Sequence, residues 1–263
     1  KLCTPLTEDS EKLYHSLLGP LSIPRHPFAM LKFARHALKS ARQLADRSFK
    51  TPEAKALFSG HAAHSVQPLE NTATAAVGMM LGVSAHSVGW PVAVGGTQSI
   101  TRALLSILRG LGGEIICETS VSALEALPKA KAYLFDTSPR AMSEICHSQF
   151  PEGYRDRLKS YRYGPGVFKV DWALNEPIPW TNAEARLTAC LHVGGTFDEV
   201  ADAERECWQG HHSRRPFLIL AQPTVVDPSR APEGKHTAWA YCHVPNGWEG
   251  DATEAIESQV ERF

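Results

Sequence analysis

The clearest hydrophobic pattern lies between Gln98 and Gly113. Ile100, Ala103, Leu104, Ile107, Leu108 and Leu111 recur on one face of a 3.6-residue period. Gly112-Gly113 follows, where glycine closes a helix in the left-handed conformation cheaply. This predicts an amphipathic helix. Upstream, the acidic, cap-like Thr7-Glu8-Asp9-Ser10-Glu11 opens a helix carrying Leu13, Leu17 and Leu18, and Gly19-Pro20 stops it. A longer helix is predicted from Phe28 to Ala45, with Leu31, Ala34, Leu38, Ala41, Leu44 and Ala45 as its apolar stripe. Thr51-Pro52 restarts a helix, since proline fits the first turn. Glu70 to Gly82 is apolar nearly all round, as expected of a buried helix or one lining an apolar cavity.

Strand-like segments begin past Gly113, and from about Tyr154 the texture changes. Glu114 to Glu118 reads as a strand, and the unbroken apolar run Ala132 to Phe135 suits an interior strand covered on both faces. Arg140 to His147 starts another helix. Then Val167 to Leu174, Ala185 to Val193, Phe217 to Gln222 and His236 to Val244 read as strands between turn residues. A helix from Thr196 to Gln209 interrupts them, with Phe197, Val200, Ala203 and Trp208 as buried positions. The expected class is α+β, with a mixed or antiparallel sheet and helices on one side. A last helix from Asp251 to Phe263 carries Ala255, Ile256, Val260 and Phe263, and no stop signal follows it. The expectation is that the chain ends inside a helix and is truncated.

Composition narrows the choice of function. With 43% hydrophobic and 21% charged residues the chain is neither disordered nor fibrous. A net charge of −1 gives no argument for nucleic acid or for an anionic membrane surface. The basic stretch Arg35, Lys39, Arg42, Arg47, Lys50 reads as a solvated helix face. No apolar run approaches the ~18 residues of a spanning helix. Six cysteines are scattered without a Cys-x-x-Cys pair, which points to free thiols in a reducing, cytoplasmic setting.

Motif chemistry is sparse. No Gly-x-Gly-x-x-Gly turn exists, and Gly164-Pro165-Gly166 has Lys169 where the third glycine would stand. The pairs His61/His64 and His211/His212 lack a carboxylate or cysteine at ligand spacing, so no metal site is expected. There is no Gly-x-Ser-x-Gly elbow, and Cys117, in an expected buried strand, reads as a small hydrophobe. The pair Gly95-Gly96 has two readings: a tight turn, or a helix N-terminus whose free N–H groups face an anion or cofactor. No residue stands out as an acid, base or nucleophile, and the catalytic residues are left unassigned.

Several stretches, in order, resemble the phytoene-dehydrogenase-like branch of the flavin-containing amine-oxidase superfamily. They are Gly89 to Ser99 with the helix, Gly112-Gly113-Glu114-Ile115-Ile116 and Val121 behind it; Phe58 to Ser65; Leu134 to Pro139; Tyr163 to Trp172; and Tyr241 to Gly247. The resemblance implies an interleaved enzyme in which FAD accepts a hydride from, or acts in reverse on, C–H and C=C bonds of an apolar small molecule. It implies three portions: residues 1–93, helical part of a substrate domain; 94–148, the middle, Rossmann-like portion of an FAD-binding domain; and 149–263, the sheet part of the substrate domain. Cofactor contacts would fall to Gly95, Gly96 and the Val121 backbone, and Met79, Met80, Trp90, Phe168, Trp172 and Trp239 would line an apolar tunnel. The N-terminal glycine fingerprint and the C-terminal flavin segment are absent from these 263 residues. The piece alone is therefore expected to be inactive and to hold FAD weakly or not at all. Two other readings stand beside this one: a non-catalytic module for apolar ligands, and a surface of exposed apolar faces that self-associates.

Overall fold

His236–Val244 pairs along both of its edges and is an interior strand of the sheet. In the computed structural model, which describes residues 2–20 and 23–263, this strand (β4) is flanked by β1 (Gly166–Leu174) and β3 (Leu218–Ala221), with β2 (Cys190–Val193) outermost. Every pairing is antiparallel, and the order is β1-β4-β3-β2. Among the described residues the chain also forms eleven α-helices, so the class is α+β.

The chain divides into two compact units, one of residues 1–100 with 165–263 and one of residues 101–164. In the first, the helices α1 (Thr4–Thr7), α2 (Ser10–Leu17), α3 (Pro27–Ala37), α4 (Ala41–Ser48), α5 (Pro52–Ala63) and α6 (Thr74–Ser87) precede the sheet. They build a core of Leu13, Phe33, Leu44, Phe58, Leu69, Met79 and Val83, joined by Phe197 and Val200 of α10 (Phe197–Trp208), by Phe217 just before β3 and by Ile219 within it. A second core lies on the opposite sheet face, where Leu218, Leu220, Ala240 and Cys242 pack with Trp180 and with Ile256 of α11 (Thr253–Val260). Period-two alternation gives each face of one sheet its own core.

Local signals explain the boundaries. Ser40 caps α4 by accepting from the Gln43 N–H, and Gln43 reaches back to the Ser40 N–H, a reciprocal cap that starts a new helix. The single helix expected from Phe28 to Ala45 is therefore two, broken at Leu38–Ser40. The break shifts the buried face of α3 to Ala29, Phe33 and Ala37, leaving Leu31 and Leu38 exposed. The same reciprocal device, Thr196 with Glu199, opens α10. Its Trp208 is 44% exposed, with the indole N–H on the Val66 carbonyl at 2.9 Å, while Ala201, Glu204 and Cys207 are buried instead. The apolar helix starts at Thr74 rather than Glu70. Of the expected strand Ala185–Val193 only the last four residues pair, its start being a 3-10 turn. The final helix closes at Val260, three residues before Phe263, whose carbonyl accepts the Thr181 N–H at 3.0 Å.

The second unit departs most from expectation. The helix α7 (Gln98–Gly110), which enters it, forms as its periodicity predicts, and Gly112 takes the left-handed conformation (φ 81°) after it. None of its residues is buried. Neither Glu114–Glu118 nor Ala132–Phe135 joins a sheet: both run without ladder partners, Glu118 is left-handed (φ 55°), Leu134 is 93% exposed, and Cys117 is exposed. An interior strand needs hydrogen-bonding neighbours on its edges, and the described residues supply none here, so no Rossmann portion is formed. The helices α8 (Pro139–Ile145) and α9 (Glu152–Lys159) complete this unit.

Candidate functional site

The site-bearing surface is the sheet face that looks toward the helical core. Alternation along β4 puts Trp239, Tyr241 and His243 on this face, and the register adds Lys169 and Asp171 of β1, Ile219 of β3, and Cys190 and His192 of β2. Trp239 and Tyr241 lie side by side, with ring centroids 6.2 Å apart and planes 14° from parallel. Both are half-buried against the helical core. The Lys169 ammonium sits 5.3 Å from the centre of the Trp239 ring and is held by Asp171. This half of the face is a flat aromatic floor with a cation at its edge.

Histidines form the adjoining wall. His61 and His64, three residues apart, project from the end of α5 toward His192. Gly60 makes the close approach possible: a Cβ there would stand 2.7 Å from His192 Nδ1. His64 Nε2 and His192 Nε2 are 2.8 Å apart, so one ring must donate and the other accept. Burial depresses His192 first, helped by repulsion from His64 and His61, and its pKa falls to about 3. Burial lowers His61 and His64 as well. The cluster is therefore a set of neutral imidazoles in a desolvated wall that resists taking up charge. Trp90 meets His61 edge-on at 5.4 Å, and Phe217 packs at 5.6 Å from His192. A cavity of about 390 Å³ opens beside β2, lined in part by Trp180, Leu191, His192 and Phe263.

Beneath the wall, α10 presents Glu204, 2% exposed, to His243. Both carboxylate oxygens lie within 2.8–2.9 Å of His243 Nδ1. Burial pushes Glu204 upward and the hydrogen bond from His243 opposes it. The pair is a sealed polar contact in an apolar layer, and its removal would leave a buried group without its partner. Among the described residues, no group of three or more His, Cys, Asp or Glu side chains is arranged to hold a metal ion.

The residues singled out by sequence are scattered over this frame. Trp239 lies on the floor and Trp90 beside His61. Met79 is wholly buried in the helical core, with Met80 packed against it. Phe168 and Trp172 take the opposite sheet face, Phe168 edge-on to Trp248 and Trp172 donating its indole N–H to Glu257 of α11 at 3.1 Å. These six do not line one wall. Gly95 and Gly96 are left-handed (φ 76° and 84°), and their amide end is occupied: Asp227 accepts the Gly95 N–H at 2.7 Å, while Arg230 donates to the Gly95 carbonyl at 2.8 Å. Val121 is half-buried in an extended stretch with no ladder. The sequence reading passed over His192, Tyr241, His243 and Glu204. Alternation in β4 signals two of them, and Glu204 stands out as an acid within the apolar stripe of α10.

Fold and site thus define an α+β protein in which a four-stranded antiparallel sheet carries an aromatic and histidine-lined face. No protein-family profile and no curated protein matches the sequence. Among solved structures the chain is similar to the PF1083 protein of Pyrococcus furiosus, at 17% identity and a TM-score of 0.51. The match covers 89% of this chain and 55% of that one, so the chain spans little more than half the length of the protein it resembles. At this identity the likeness is one of fold alone. Among the described residues no helix is long and apolar enough to cross a membrane.

Proposed function

We propose that the chain is the substrate-enclosing body, together with the middle insert of the cofactor domain, of an FAD-dependent oxidoreductase of the phytoene-dehydrogenase-like kind. The observation that carries this reading is α7. It leaves a glycine-glycine turn with a complete apolar stripe and buries none of it, and two extended apolar segments without strand partners follow. An insert whose neighbouring strands come from other parts of a longer chain would have this character. The ordered motifs from Phe58 to Gly247 support it, as does a fold match reaching over little more than half of a longer protein.

The flavin would supply the redox chemistry, taking up or returning a hydride. This chain's own contribution is positioning and the exclusion of water. The Trp239–Tyr241 floor offers a flat apolar surface to a hydrocarbon-like substrate, and the neutral His61/His64/His192 wall borders it with a desolvated, mutually hydrogen-bonded edge. The substrate class is an apolar small molecule with oxidisable C–H or reducible C=C bonds.

The test is the visible spectrum of the protein encoded by the complete reading frame around these residues, purified beside the 263-residue chain. A flavin band in the longer protein and none in the shorter is expected. A colourless longer protein that gains no band on addition of FAD would favour the non-catalytic module for apolar ligands.

A further inference from the structure

We propose that the helix-facing side of the sheet binds a long-chain carboxylate laid across the strands. Its head would sit on Lys169 of β1, and its chain would run over β4 and β3 to His192 of β2. This rests on the substrate side of the reading above and names the substrate class more closely. The register supplies the track. Antiparallel partners project to the same face, so Lys169, Tyr241, Ile219 and His192 form one row across the four strands. Asp171, Trp239, Ala221 and Cys190 form the row beside it. Three strand spacings make each row about 14 Å long.

The two ends of this track differ. At the β1 end the side chains of Lys169 and Asp171 are 45% and 67% exposed. In the middle Trp239 and Tyr241 lie half-buried with their rings near parallel, and Ile219 and Ala221 are buried beside them. At the β2 end His192 packs against His61, His64 and Phe217. Formal charge is confined to the β1 end, where Asp171 is the one carboxylate in either row.

Unused hydrogen-bonding groups select the head. Lys169 donates to Asp171 and keeps two further N–H groups. Among the described residues neither the Trp239 indole N–H nor the Tyr241 hydroxyl has a partner, and neither is sealed from solvent. A plain hydrocarbon would cover these groups and leave them unpaired, which is costly. An ammonium head would meet Lys169 as a like charge. A diphosphate carries more negative charge than one lysine, already shared with Asp171, can offset. A carboxylate brings a single charge and only accepts, the complement of an end whose open groups donate. The neutral histidines offer the far end no charge, and that difference sets the direction of the chain.

The experiment is calorimetric titration of the 263-residue chain with decanoate and with 1-decanol, which share a chain and differ in the head. Decanoate is expected to bind about tenfold more tightly, as one charge-assisted hydrogen bond would give. Lys169→Gln should bring decanoate down to the level of 1-decanol and leave 1-decanol unchanged, while Lys169→Arg should keep most of the preference. Trp239→Leu should weaken both ligands about threefold through the lost ring surface. Lys169 lies on the exposed part of β1, and an unchanged far-ultraviolet spectrum would verify folding of each variant. Equal affinity for the two ligands, a preference that survives Lys169→Gln, or no binding of decanoate would overturn the proposal. Any of these beside a flavin band in the longer protein would leave the cofactor reading standing. Decanoate binding governed by Lys169, with no flavin in the longer protein, would do the reverse.

Discussion

The helices α6 and α7 teach opposite lessons about apolar sequence. The first has apolar residues on all sides and lies in the core of the larger unit, with Ala75, Met79 and Val83 wholly buried. The second has the cleanest amphipathic stripe in the chain and buries nothing, Leu104 being 62% and Ile107 61% exposed. The contrast extends to the units themselves. Among the described residues of 101–164 only Ser143 and Cys146 are buried, whereas residues 1–100 and 165–263 enclose two cores. A periodic stripe records that a helix requires a partner and does not record where the partner is encoded.

Perturbations of the two units should therefore differ sharply. The largest effect is expected at the sealed pair of the larger unit. Glu204→Ala leaves His243 buried opposite nothing and should cost about 3–5 kcal/mol in urea unfolding. Glu204→Gln, which keeps a hydrogen-bonding group, should cost less. Next, Leu220→Ala, at a wholly buried position of β3, should cost roughly 2–5 kcal/mol. Leu108→Ala in α7 should change stability by no more than about 0.5 kcal/mol, as an exposed position does. Equal losses at Leu220 and Leu108 would erase the distinction between the units.

A smaller effect concerns pH. The imidazole of His192 titrates near 6.5 when unfolded and at about 3 when folded. The unfolded chain therefore binds the proton first, and stability should fall as pH drops from about 6.5 toward 3, with His61 and His64 acting in the same direction. Glu204 is shifted upward, so its protonation on acidification favours the folded state and opposes the histidines. His192→Gln should flatten the stability profile across this interval. A profile identical to that of the parent chain would place His192 in solvent rather than in the wall.

How much of this was legible in the sequence follows from the range of the interactions. The bounds of β4 and of α10 were readable to within a residue, because alternation and the Thr196/Glu199 cap are local. The break between α3 and α4 was equally local, and Ser40 three residues before Gln43 announces it; the apolar periodicity running across the break obscured the cap. Glu114–Glu118 and Ala132–Phe135 have strand-like composition, and composition cannot supply the neighbouring strand. The candidate site was the least legible part. His192 and Tyr241 share a row only through the register of β2 on β3 and β3 on β4, and no spacing along the chain encodes that row. Phe168 and Trp172 are aromatic like Trp239, yet their parity on β1 sends them to the other face.

The central claim is that α7 and the unpaired segments behind it belong to a cofactor domain completed elsewhere in a longer chain. Its most direct test is the flavin absorption of the protein made from the complete reading frame, compared with that of residues 1–263 given excess FAD. The account predicts bound flavin in the first and little or none in the second. Tight stoichiometric FAD binding by the 263-residue chain, or no flavin in either protein, would contradict it.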